Sequence, residues 1–402
     1  MFIRVYLRSQ LGSYIAQHSD VKYVRILDTT LRDGEQTPGL ALKPEDKLKI
    51  ALLLEELNVD SIEAGFPAVS QGERIAIKMI TREVSNSEIV ALCRCNKSDI
   101  DMAIDCDVDA VHLFIATSDI HLKYKLKITR EEALRRAIES VEYAKSHGLT
   151  VEFSAEDSTR TEWSWLAKFF QAVVDAGADR IDIADTVGVM WPSKMYSLVK
   201  YIIENVKGRY ILSVHCHNDF GMATANSIAA VEAGAGQVHV TIAGLGERAG
   251  NAPLEEVVTA LHFLLNYRTR IRFEKLKEVC DRVLEITKFT ISPNKPIIGI
   301  NAFSHESGIH VHGVIENPQT YEPIPPELIG ARRRIVLGKH SGRHAVEFIL
   351  KSMGIEPKPD IVEKVLLKIK ELGDQGVKIE DSDIRRIIEE ILNIKSERAC
   401  PT

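Results

Sequence analysis

His215 and His217, in the run HCHND at 215–219, are the residues whose spacing most directly suggests chemistry. On a strand, side chains at i and i+2 point to one face, so the two imidazoles project together and Cys216 faces away. Two imidazoles and one carboxylate form a divalent-metal site with positions left open for substrate. Asp33, in LRDGEQTPG at 31–39, is the natural carboxylate, and Asn251, at the end of GLGERAGN, can add an oxygen. An isolated His-x-His pair more often bonds to loop backbone. Placement at the end of a strand, with an acidic partner to hand, turns the reading toward metal.

Four further groups carry chemistry and a blander alternative each. Arg32 beside Asp33 can stabilise a developing enolate or alkoxide, or form a salt bridge with Glu35. Glu156 and Asp157, in FSAEDSTRTE at 153–162, can act as general acid/base or orient a ligand, or cap the next helix. Arg248, in a Gly-rich turn, can meet phosphate or carboxylate. FSHESGIHVHG at 303–313 holds three histidines in eight residues. It reads as a second metal site, or as a functional loop that folds over the mouth of the site and supplies one proton-transfer group. Arg332, Arg333 and Arg334 read as a solvated or anion-facing patch.

These residues need a scaffold, and from residue 24 the chain is rhythmic. Apolar, β-rich runs begin at 24, 61, 88, 110, 149, 180, 211 and 237, separated by helical patterns that several times end in Gly. Pro44, Pro192 and Pro253 open helices, where a missing N–H costs nothing. Eight strand–helix units predict an α/β fold, a closed (β/α)8 TIM barrel over residues 22–266. Such a barrel places its chemistry at the strand C-termini. The unusual polar residues fall there: Arg32 and Asp33, Glu63, Arg94, Thr117, Glu156 and Asp157, Thr186, His215 and His217. Residues 1–21 read as a loose N-terminal extension. Residues 267–402 read as a C-terminal subdomain region: a helix over about 273–289, a Pro- and Gly-rich linker with the HESGIH segment, then three amphipathic helices between 344 and 394. No βαβ pattern follows them, so no regulatory domain is expected.

Composition narrows the class. Of 402 residues, 45% are hydrophobic and 27% charged, which suits a globular enzyme. Lys+Arg is 51 against Asp+Glu 57, and this lack of basic surplus argues against a nucleic-acid partner. No apolar run is long enough to span a membrane. Six cysteines without a CxxC pair are too sparse for a disulfide scaffold, and the first twenty residues lack a signal-peptide core. Both point to the cytoplasm.

Five phrases, DTTLRDGEQTPG, IEAGFP, HCHNDFGMATANS, GLGERAGNAPLEE and HESGIHVHG, resemble in order those of the acyl-CoA-dependent 2-oxoacid synthases, a group containing 2-isopropylmalate, citramalate and homocitrate synthases. The resemblance spans about residues 24–347. It implies a Claisen-type condensation of acetyl-CoA with a 2-oxoacid bound to one divalent ion (zinc, manganese or magnesium), followed by thioester hydrolysis. It also implies ligands Asp33, His215 and His217 with Asn251 nearby, and Arg32, Glu156 and His310 as catalytic residues. By the same resemblance His112, Ser154 and Thr186 bind the oxoacid, and His310 reaches the site of the partner in a domain-swapped homodimer. IEAGFP, TSDIHLKYKL and GKHSGR lean toward 2-isopropylmalate synthase acting on 2-oxoisovalerate. Citramalate synthase (pyruvate), homocitrate synthase (2-oxoglutarate) and a hydroxymethylglutaryl-CoA-lyase-like enzyme are the alternatives, with a non-catalytic binding homologue behind them.

Overall fold

Eight parallel strands close on themselves in chain order: β1 (Arg25–Asp28), β2 (Ser61–Gly65), β3 (Glu88–Arg94), β4 (Ala110–Ala116), β5 (Thr150–Glu156), β6 (Arg180–Asp185), β7 (Ile211–Cys216) and β8 (Gln237–Val240). Closure is made by β8 on β1, in register from Arg25↔Gln237 to Asp28↔Val240. This is the barrel expected from the strand–helix rhythm. The computed structural model describes residues 22–392, so the expected extension over 1–21 lies outside the described residues.

The helices between the strands start where their sequences provide an acceptor for free N–H groups. Ser70, Asn96 and Thr129 accept from the backbone of Glu73, Asp99 and Glu132, opening helices Gln71–Glu83, Lys97–Ile104 and Arg130–Ser146. Pro44 and Pro192 occupy first helical positions. After β4 the chain makes a short helical turn and then a π-helical one over Leu122–Leu126, a geometry that recurs at functional sites. Part of the barrel interior is polar. Glu152 accepts from Gln237 and, at 2.7 Å, from His239, and it also pairs with Arg180 at 2.9 Å.

Contacts divide the chain into two units, one ending at Thr290 and one beginning at Ile291. The first runs past the expected boundary at 266. Helix Leu276–Thr287 packs on helix Pro44–Leu57 and buries Leu276, Val279, Cys280 and Val283, so it belongs with the barrel. In the second unit, helices Gly308–Glu316, Arg343–Ser352, Pro359–Asp374 and Asp381–Ile391 share a core that includes Val311, Leu350, Val365, Ile369 and Ile388. The three closing helices match expectation. The HESGIH segment does not: its histidines at 310 and 312 ride on a helix rather than a loop, because Val311 and Val314 bury one face of it. Among the described residues no helix is long and apolar enough to cross a membrane.

Candidate functional site

Beyond β1 the backbone folds into a tight turn in which the N–H groups of Arg32, Asp33 and Gly34 all donate to Thr29 O, at 3.1, 2.9 and 3.0 Å. Asp33 therefore sits on this turn, five residues past the last residue of β1, and not at the strand end as expected. The turn still delivers its carboxylate to the histidines of β7. Asp33 Oδ2 is 3.4 Å from His215 Nε2 and 4.0 Å from His217 Nε2, and the two Nε2 atoms are 3.4 Å apart. Donors about 2.1 Å from a common ion at tetrahedral angles stand about 3.4 Å apart, so this spacing fits one divalent ion. Asn251 is laced beside His217 by an isolated antiparallel bridge. Its Nδ2 donates to Asp33 Oδ1 at 3.0 Å and to Leu245 O at 2.9 Å, which leaves a buried, unpartnered Oδ1. Gly246 presses on this corner with φ +156°: a Cβ there would lie 2.2 Å from Asn251 Nδ2 and 3.2 Å from Asp33 Oδ1.

Charge in the site is set by burial and neighbours. Burial works against ionisation of Asp33, but the Arg32 guanidinium and the two imidazoles hold its carboxyl well below the usual range. Burial, then His215, push His217 down to about 4, so its ring is neutral and ready to ligate at physiological pH.

Arg32 does not reach Glu35, which takes Lys47 instead at 2.8 Å. Its Nη1 lies 2.7 Å from Asp33 Oδ2 and its Nε 2.7 Å from Glu63 Oε2. Glu63 also accepts from Thr29 Oγ1 at 2.5 Å and lies 2.7 Å from His112 Nδ1. Glu63 stands out in the sequence as a charge inside an apolar strand, but that pattern assigns it no role. In the structure it is the residue that fixes Arg32 and His112 together.

The cavity over these groups is about 290 Å³. Its lining includes Arg32, Asp33, His112, Ser154, Thr186 and His217, which brings the expected barrel residues to one place. Glu156 lines it too, in contact with Lys125 from the π-helical turn. Thr186 Oγ1 accepts from Asp157 N at 2.9 Å, which leaves its own proton for a ligand. Asp157 holds φ +60°, takes Ser118 and Arg160, and caps no helix through its side chain. Arg248 is clamped bidentately by Asp219, at 2.8 and 2.9 Å, and donates to Thr186 O.

A second group of possible ligands, His112, Asp182 and His239, lies deeper. Both nitrogens of His112 are engaged by Glu63 and Ser154, and His239 Nε2 by Glu152, so a hydrogen-bond network describes it better than a metal site. Among the described residues, the HESGIH histidines join neither group. His310 is exposed and stacked on Tyr321 at 4.1 Å, His312 is 4.4 Å from His344, and His305 is 3.2 Å from Glu322. The reading of that segment as a second metal centre is not supported.

Known proteins match this architecture. A family profile described as HMGL-like covers residues 23–283, and one described as Homocitrate synthase post-HMGL domain-like covers 297–396. The chain is 64% identical over 378 residues to a protein named Probable 2-isopropylmalate synthase from Ignicoccus hospitalis, 94% of each chain being covered. It is 55% identical to the (R)-citramalate synthase of Methanocaldococcus jannaschii, over 92% of this chain and 74% of that one. Among solved structures, the HMG-CoA lyase of Bacillus subtilis superposes with a TM-score of 0.61 at 20% identity, over 67% of this chain and 95% of the other, a likeness of fold. The barrel, the His-x-His centre and these relatives agree: the chain belongs to the HMGL-like family, in the company of the 2-isopropylmalate and citramalate synthases.

Proposed function

We propose that the protein catalyses the condensation of acetyl-CoA with a 2-oxoacid, 2-oxoisovalerate in the first instance, with hydrolysis of the thioester to give 2-isopropylmalate. The observation that carries this reading is the convergence of Asp33, His215 and His217 on one point in a cavity that also holds Arg32 and Thr186. The buried, unpartnered Asn251 Oδ1 is a fourth donor of the same kind. A divalent ion held there supplies Lewis-acid polarisation of the ketone and a template for the oxoacid.

The chain's own residues do the rest. Arg32, fixed between Asp33 and Glu63, faces charge developing on the ketone or enolate oxygen at no cost in reorganisation. The Thr186 hydroxyl, which accepts from Asp157 N, donates its hydrogen bond to the oxoacid carboxylate. Glu156 sits at the rim as a carboxylate for proton handling. His310, exposed on its helix, is assigned to proton transfer across a domain-swapped homodimer, a role that rests on the family phrase around it. The compartment fits a cytoplasmic enzyme, since five cysteines among the described residues are free thiols.

Citramalate synthase is the second reading, favoured by the 55% identity to a protein of that name. Release of free CoA from acetyl-CoA, measured with 2-oxoisovalerate, pyruvate and 2-oxoglutarate, decides. A clear preference for 2-oxoisovalerate is expected, and preference for either of the others replaces the substrate. Mixing His310→Ala with Arg32→Ala protein should restore activity through hybrid dimers. No recovery after proven subunit exchange removes the swapped arrangement.

A further inference from the structure

The cavity floor carries a hydrogen-bond chain that the metal chemistry does not use. His112 Nδ1 lies 2.7 Å from Glu63 Oε1, His112 Nε2 lies 2.6 Å from Ser154 Oγ, and Ser154 in turn bonds to Asp182 Oδ2. Register places Ser154 opposite Asp182 on one side and, on the other, opposite Phe114, two residues on from His112. A hydroxyl has one proton to give. If Ser154 gives it to Asp182, His112 must donate to Ser154. If Asp182 holds a proton instead, Ser154 donates to His112. In either state both nitrogens of His112 and the Ser154 hydroxyl are spent.

Asp182 Oδ1 is then the group left over. It is buried with no partner, and Asp182 is fully buried while still lining the cavity. It is an acceptor in both proton arrangements. His239 approaches from β8 with its Nε2 committed to Glu152 at 2.7 Å; its Nδ1 is also buried without a partner, but His239 is not part of the cavity lining. If the oxo group sits at Arg32 and the carboxylate at Thr186, the substrate side chain has Phe66, Leu92, Phe114, His112, Ser154 and Asp182 as its surroundings.

We propose that Asp182 is a specificity-determining residue, closing the side-chain end of the cavity with an acceptor so that 2-oxoacids bearing a second carboxylate are turned away. The inference rests on the condensation reading above and names the class of oxoacid within it: uncharged side chains. An ionised distal carboxylate offers only acceptors, finds the His112 and Ser154 donors already committed, and faces another carboxyl group. An alkyl group meets Phe66, Leu92 and Phe114. A side chain ending in an amide offers Asp182 a donor directly.

The test compares ligands of one shape on the metal-loaded wild-type protein. 2-Oxoglutarate and its 5-amide are titrated by protection against thermal unfolding, alongside CoA release with 2-oxoisovalerate. The amide should bind at least tenfold more tightly. In Asp182→Asn, whose amide turns a donor to the cavity while its oxygen keeps Ser154, that ratio should fall tenfold or reverse. Equal binding of the two ligands by wild-type protein overturns the role of Asp182, as does an unchanged ratio in a folded Asp182→Asn. If wild-type protein binds the ligands but releases no CoA with any 2-oxoacid, the condensation reading falls separately. The ratio of the two affinities still stands or fails on its own.

Discussion

Asp33, Glu63, Glu152, Arg180 and Asp182 are all at most 4% exposed inside the barrel unit, while the core of the second unit is built from Val, Ile, Leu and Ala alone. The second unit keeps most of its charge outside; among the described residues, Glu322, paired with Arg333 and beside His305, is its buried acid. Removing ions from water costs several kcal/mol each unless partners meet them. The barrel accepts that cost where Arg32, His112, His215 and Arg180 supply the partners, and at the first three of these chemistry is assigned. The aliphatic core yields stability that no ionisation or metal can alter. The lesson is that buried charge, more than conformation, marks the working part of this chain.

That contrast can be broken in four ways. His217→Ala should remove the ion and lower turnover on the order of 10³-fold or more, several kcal/mol of transition-state stabilisation. Metal analysis and CoA release check it, and retention of both means the site is misassigned. Glu63→Gln should keep the metal but loosen Arg32, lowering kcat by roughly 10²–10³-fold with little change in KM. A mutant with normal kcat would mean that Arg32 needs no support. Leu350→Ala, in the aliphatic core, should cost about 2–5 kcal/mol in denaturant unfolding and leave metal affinity untouched; a lost metal would erase the distinction between the units.

The fourth concerns pH and the metal-free protein. Burial opposes the charge on His239, but Asp182 and Glu152 outweigh it and raise the ring to about 9. A histidine held above its unfolded value of about 6.5 stabilises fully below that value, and the gain disappears as pH rises through 9. Unfolding free energy should fall by roughly 1 kcal/mol per unit between about pH 7 and 9. His217, pushed down to about 4, acts oppositely: its contribution is lost as pH falls from about 6.5 toward 4. Stability should thus peak between the two limbs in melts across pH, and a flat profile would mean the buried rings are not charged as described.

Much of this was legible in the residues themselves. Period-two apolar runs between helical patterns revealed all eight strands, and the i, i+2 rule aligned His215 with His217. Asp33 was identified as the carboxylate but placed at a strand end, because the β-rich run VRILDTTL leads straight to it while the backbone there closes on Thr29. The floor was not legible. Glu63, His112, Ser154 and Asp182 lie 28 to 49 residues from their partners, and only barrel register brings them together. The helix over Gly308–Glu316 was hidden by its glycines and bounding prolines, although the buried pair Val311 and Val314 carried its period.

Gly246 has a consequence for anyone who wishes to silence the centre cleanly. With a Cβ placed 2.2 Å from an amide already pinned to Asp33 and Leu245, Gly246→Ala works as a wedge. It should dislodge Asn251 and tilt the Asp33 carboxylate with every donor atom of the centre still encoded. Such a protein is a ligand-complete decoy, able to separate loss of geometry from loss of chemistry in a way that no ligand deletion can.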